Sequence, residues 1–116
     1  MGKFKMGFFN KSNNAKKVAA DREIISETER AIDALIILAE QIPDCDFVEQ
    51  FKQLKEKIKW QIPSKEDVIQ DYDKKINDLI GELRVELGGD NNQVTVKVND
   101  IVTQIKLIIA DRNAKL

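Results

Sequence analysis

One stretch constrains this chain more than any other: Val18 to Ile42, VAADREIISETERAIDALIILAEQI. Apolar or small residues recur at Val18, Ile25, Ile32, Leu35, Ala39 and Ile42. A second row, Ile24, Ala31 and Leu38, lies beside them. The spacing is helical and the apolar face is wide. Ala34 to Ala39 are all apolar, so one turn there calls for cover on every side. The rest of the chain must be built to supply that cover.

The remaining segments repeat the pattern on a smaller scale. The Val18–Ile42 stretch belongs to a first helix expected over about Ala15 to Gln41, opened by the Ser12-Asn13-Asn14 cluster as a cap and stopped by Pro43. A second helix is expected from about Cys45 to Gln61, with Asp44 as N-cap and the stripe Phe47, Phe51, Leu54, Ile58 and Ile62. Pro63 ends it. A third is expected from about Lys65 to Leu87, with Ser64 and Asp67 approximating a capping box. Its stripe reads Ile69, Tyr72, Ile76, Leu79, Leu83 and Leu87, widened by Ile80. Gly81 sits beside that stripe, where it could admit a close neighbour, and Gly88-Gly89 suits a left-handed C-cap. Asp90-Asn91-Asn92 reads as a turn and cap.

The last segment is ambiguous. Val94, Val98, Ile101, Ile105 and Ile108 keep a helical stripe, with Val102 and Ile109 beside it. Val94 to Val98 also alternates with period 2 and is rich in β-branched residues. Helix fits the longer pattern better; the other reading is a two-stranded ribbon with Lys3 to Phe8.

Four amphipathic helices with short connections imply an all-α fold, an antiparallel up-down-up-down four-helix bundle of three long helices and one short one. The expected division is a basic, aromatic segment over residues 1–14 and a bundle over 15–116. At 116 residues the chain is one domain by size. Five Gly, two Pro and 34% charged residues suit helices better than a sandwich or barrel. Because the second helix is short, the bundle should be open at the end where the first helix starts.

Charge is unevenly spread. Residues 1–17 carry Lys3, Lys5, Lys11, Lys16 and Lys17 and no acid, a charge of +5. The other 99 residues hold 14 basic and 20 acidic side chains, so the net charge is −1. An acidic body argues against a general nucleic-acid binder, which needs a basic footprint. A weak version of that reading survives in Lys52, Lys55 and Lys59, a basic stripe with Trp60 nearby to stack on a base; the plainer reading is a solvated face with Trp60 half-buried at the helix end. The single cysteine, Cys45, allows no internal disulfide, and its flanking Asp44 and Asp46 make it a poor nucleophile. No run approaches the ~20 apolar residues of a membrane span. Neither a signal peptide nor a myristoylation pattern is met at the N-terminus. A cytoplasmic location is expected.

Chemistry is hard to find. The chain has no histidine, which removes the commonest general base and metal ligand. The acids Asp67, Asp71, Asp78 and Glu82 are interleaved with Lys74 and Lys75 and read as a solvated face. Nothing calls for a cofactor, a metal or a small-molecule substrate, and no enzyme is expected.

The most distinctive segment is KFKMGFFNK at the N-terminus. Phe4, Met6, Phe8 and Phe9 could fold back over the open end, bind a partner, or enter an anionic membrane surface with the lysines. The expected function is a non-enzymatic interaction or assembly protein that self-associates, as a homodimer. Candidate contact residues are Phe4, Met6, Phe8, Phe9, Ile36, Ile37 and Leu107. A membrane-surface protein and a weak nucleic-acid binder are the alternatives.

Overall fold

The computed structural model describes residues 2–43, 45–89 and 94–116, with side chains described from residue 14 onward. Four helices follow in order: α1 Gly2–Glu40, α2 Val48–Lys59, α3 Asp67–Leu87 and α4 Val94–Lys115. They pack on one another, and the described residues contain no strand. The fold is an all-α bundle, with α2 the short member at 12 residues. The ambiguous Val94–Val98 segment is helical. A ribbon would have needed the 3–8 backbone as its partner, and that backbone is inside α1.

The connectivity is up-down-up-down, but the packing order is not the chain order. α1 packs against α2 and α3, and α3 against α1 and α4. Surface clefts at the two ends are lined jointly by α2 and α4: Phe47 and Gln50 face Val94 and Thr95 at one, Lys57 faces Ile109 and Asn113 at the other. Around the bundle the order is therefore α1, α2, α4, α3. Chain neighbours α1–α2 and α3–α4 are antiparallel hairpins. The pairs α1–α3 and α2–α4 run parallel. The α2–α3 connection must cross the end of the bundle diagonally.

One contiguous core joins all four helices. It includes Ile25, Ile32, Leu35, Ile36 and Ala39 of α1, Phe51, Leu54 and Ile58 of α2, Ile76, Ile80, Leu83 and Leu87 of α3, and Val98, Ile101, Val102, Ile105 and Ile109 of α4. Phe47 stacks with Phe51 at a centroid distance of 6.0 Å, the aromatic anchor of a core otherwise made of Ile, Leu, Val and Ala39. The Ala34–Ala39 run is covered on one side only: Leu35, Ile36 and Ala39 are buried, while Ala34 and Ile37 face outward. A two-layer bundle offers each helix neighbours over part of its circumference, so a fully apolar turn leaves a remainder at the surface.

Several local expectations change. α1 begins at Gly2, not near Ala15, so Ser12-Asn13-Asn14 lies inside a helix instead of capping one. Ser and Asn cost well under ~1 kcal/mol each in a helix interior, too little to end one. α3 starts at Asp67, and its N-cap Glu66 makes no side-chain cap bond, so the Ser64/Asp67 box does not form. Ser64 Oγ instead accepts the Glu66 N–H at 3.1 Å. The C-cap Gly88 is right-handed (φ −82°), and Gly89 N–H closes the end by donating to Glu86 O at 3.1 Å. Gly81 admits no close neighbour: a Cβ there would meet nothing within 4 Å. The Asp44 cap and the Asp90–Asn92 turn lie outside the described residues.

Candidate functional site

The α3 stripe that buries is not the one hydrophobicity selects. Its buried row is Ile69, Asp73, Ile76, Ile80, Leu83 and Leu87, with Tyr72 and Leu79 only half-buried. The row keeps an unbroken 4-3-4-3-4 spacing and contains an aspartate. α1 does the same. Its buried row is 21, 25, 28, 32, 35 and 39, with Ile36 beside it, so Asp21 and Thr28 stand in core register with the isoleucines. In α4 the row Val98, Ile101, Val102, Ile105, Ile109 ends on Arg112. Thr28 satisfies itself by donating to Ile24 O at 2.8 Å. The three charged residues pair largely with one another and with the α2–α3 connection.

Asp21 and Arg112 are fully buried and Asp73 nearly so. Arg112 Nε donates to Asp73 Oδ1 at 2.6 Å and Nη2 donates to Asp73 Oδ2 at 3.2 Å, a bidentate pair. Nη2 also donates to the Ile62 carbonyl at 2.7 Å and lies 3.7 Å from Asp21 Oδ2. That Asp21 oxygen accepts the Ser64 N–H at 2.8 Å. Gln70 Nε2 donates to the Lys17 and Ser64 carbonyls at 2.8 and 3.1 Å. The cluster thus ties α1, α3 and α4 to the diagonal α2–α3 crossover, whose backbone would otherwise leave polar groups unpaired over the bundle end.

Two acids share one guanidinium. Burial raises the Asp73 carboxyl, the hydrogen-bonded Asp21 carboxylate raises it further, and Arg112 pulls the other way; the result is a pKa of about 7. Asp73 therefore holds a proton up to near neutrality. Asp21 Oδ1 and Arg112 Nη1 are buried with no hydrogen-bond partner among the described residues. The cluster fixes which residues meet at the crossover, and Arg112 also lines the end cleft with Lys57, Ile109 and Asn113. Among the described residues no three His, Cys, Asp or Glu side chains converge as a metal site.

The candidate contact residues divide three ways. Ile36 is taken up by the chain's own core. Ile37 (58% exposed) and Leu107 (61% exposed) remain at the surface. The side chains of Phe4, Met6, Phe8 and Phe9 lie outside the described residues; their backbone continues α1. Lys17 marks where α1 leaves the bundle, 3.7 Å from Asp67 at the start of α3. With 39 residues α1 is about 58 Å long against about 32 Å for α3. The molecule measures 65 Å along its long axis and 24 Å across. Residues 2–16 thus form a helical arm of about 22 Å beyond the bundle.

The basic stripe on α2 is partly neutralised. Lys55 Nζ lies 2.6 Å from Asp33 Oδ1, which raises the lysine's pKa by hydrogen bonding and charge. Its cleft is shared by Asp33, Glu40 and Glu56 with Lys52 and Lys59, an even mixture that gives phosphate little preference. Trp60 is 74% exposed, not half-buried; its Nε1–H donates to Glu56 Oε2 at 3.1 Å and Lys59 Nζ stands 5.4 Å from its ring centroid. No helix among the described residues is long and apolar enough to cross a membrane. The sequence matches no family model, and the comparisons find neither a similar curated protein nor a similar solved structure.

Proposed function

We propose that this chain is a non-enzymatic assembly protein that self-associates through the N-terminal arm of α1. One observation carries the reading: α1 continues for about 15 residues N-terminal to Lys17, which pairs with Asp67 at the start of α3. An isolated helix of that length is marginal in water, so a helical segment with three Phe in fourteen residues gains by being covered. A second copy in a cytoplasmic setting is the simplest cover. Sedimentation velocity over the micromolar range tests this. The full chain should exceed the monomer mass, and the chain lacking residues 2–14 should not. Full-length protein that stays monomeric throughout that range rules the reading out.

A second reading rests on the arm's composition. Five lysines and no acid in residues 1–17, on a helical backbone with Phe, suit an anionic membrane surface, where each lysine adds about 1 kcal/mol. Flotation with anionic vesicles separates the two: equal flotation with and without residues 2–14 removes the membrane role.

A further inference from the structure

The arm, residues 2–16, carries +4 and the rest of the chain −5, so an arm is drawn to the body of another molecule of the same chain. One face of the body matches it best. A cleft of about 550 Å³ on the α3–α4 side is lined by Asp78, Gly81, Glu82, Val85, Glu86 and Ile101. No basic residue lines it; Lys97, 3.9 Å from Glu86, stands at one end. Asp78, Glu82 and Glu86 are four residues apart, one acidic row down one side of a helix. Like charges at that spacing repel. Lys97 relieves the Glu86 end, and a cationic partner along Asp78 and Glu82 would relieve the rest.

The apolar features of the cleft point the same way. Val85 is 74% exposed, and Ile101 lies behind it. Between them Gly81 leaves its floor open, with nothing within 4 Å of a Cβ position. A mid-helix glycine that no neighbour approaches has no packing role in the monomer, and it makes room for a bulky side chain from outside. The arm supplies both chemistries, with Lys3, Lys5 and Lys11 around Phe4, Phe8 and Phe9. Lys3 and Lys11 are two turns apart along α1, as Asp78 and Glu86 are along α3, about 12 Å in each case.

An arm cannot reach the cleft of its own chain. α1 and α3 run parallel, and Lys17 is level with Asp67 and Gln70. From that level the arm runs one way, while Asp78 to Glu86 lie about 16–28 Å along α3 in the other. The occupant is therefore a second copy. We infer that the α1 arm of one molecule docks in the acidic α3–α4 cleft of another, its lysines on the Asp78–Glu82–Glu86 row and a phenylalanine over Gly81. This rests on the self-association proposed above and names the surface that receives the arm.

Charge-swapped full-length chains test it by sedimentation velocity at low salt, with circular dichroism confirming the fold of each. D78K/E82K and K3E/K5E/K11E should each associate about 10-fold more weakly than wild type or worse, because each sets like charges together. Mixed in equal amounts, the two variants should regain association, since reversed arms then meet reversed clefts. Gly81→Leu should also weaken association, with its helix content unchanged. If the wild type associates and D78K/E82K associates equally well, the arm docks elsewhere: the cleft assignment is lost while self-association stands. If the mixture stays monomeric although both single variants are folded, the pairing is likewise lost. If the wild type is monomeric, both proposals are lost, and arm-dependent flotation with anionic vesicles would then assign the arm to a membrane surface.

Discussion

Two layers of the same core hold this bundle in different ways. In the middle, Ile32, Leu35, Phe51, Leu54, Ile80, Leu83 and Ile105 meet as hydrocarbon. At the arm end, Arg112 hydrogen-bonds Asp73 at 2.6 Å and stands 3.7 Å from Asp21. The apolar layer favours any arrangement that excludes water and fills space. The charged layer favours one arrangement, because a guanidinium displaced by one turn leaves a buried carboxylate alone. Burial drives the collapse, and the charges select which helix sits beside which. The diagonal crossover lies at the charged layer, where an alternative packing order would have been easiest to reach.

The charged layer is most sensitive at Arg112. Arg112→Met strands two buried acids and the Ile62 carbonyl and should cost about 3–5 kcal/mol in urea unfolding. The triple change Asp21→Leu/Asp73→Leu/Arg112→Met should be far milder, near neutral or even stabilising, because no charge is left unpaired. Its signature belongs at the crossover: the Ser64 amide, which loses its Asp21 acceptor, should exchange hydrogen faster than in the wild type. If the triple variant is as unstable as Arg112→Met, the cluster contributes stability and not selection alone. In the apolar layer Phe51→Ala should cost a comparable 3–5 kcal/mol, about what large-to-small changes at buried aromatics cost, and leave Ser64 protection relative to global stability unchanged.

Acidity sharpens the contrast. Folding raises the Asp73 pKa from 3.8 to about 7, so the folded state binds more protons than the unfolded state between those values. The stability this group contributes is complete below pH 3.8, declines as pH rises, and is gone above about 7. Asp73→Asn should flatten that decline while staying near wild-type stability at low pH; an unchanged pH profile would mean that the proton lies elsewhere. The smallest effect belongs to Gly81. Gly81→Ala should stabilise the monomer by about 1 kcal/mol, since the position is helical and unobstructed.

Most of the architecture was legible in the pattern of apolar residues. Three- and four-residue spacing located all four helices, and the two prolines marked the turns. Register was less legible. α3 carries two adjacent rows, and a search for hydrophobic residues chooses Tyr72 and Leu79 over Asp73 and Ile80. The charged cluster was missed for the same reason: Asp21, Asp73 and Arg112 were passed over because they are charged. A signal did exist. Each continues a 3-4 row of isoleucines, leucines and valines without a break, and two acids with one base is a set that can bury itself. The start of α1 was misplaced because Ser12-Asn13-Asn14 reads equally well as a cap or as tolerated helix. Packing order could not have been read from periodicity, which tells each helix's buried face but not its neighbour.

The packing order has a consequence for how the chain reaches its fold. α1–α2 and α3–α4 are hairpins whose contacts are local in sequence. The parallel α1–α3 seam and the crossover bring together residues 43 to 53 positions apart: Asp21 with Ser64, Ile62 with Arg112, Lys17 with Gln70. Closing those loops is the entropically slow step. Folding should therefore proceed by fast hairpin formation and slower docking of one hairpin on the other. Arg112 then belongs to the docking barrier, and substitutions there should slow folding, whereas substitutions at Leu54, inside the first hairpin, should show a smaller fraction of their effect in the docking rate. The charged layer would then be a kinetic gate, the point at which two preformed halves commit to one another.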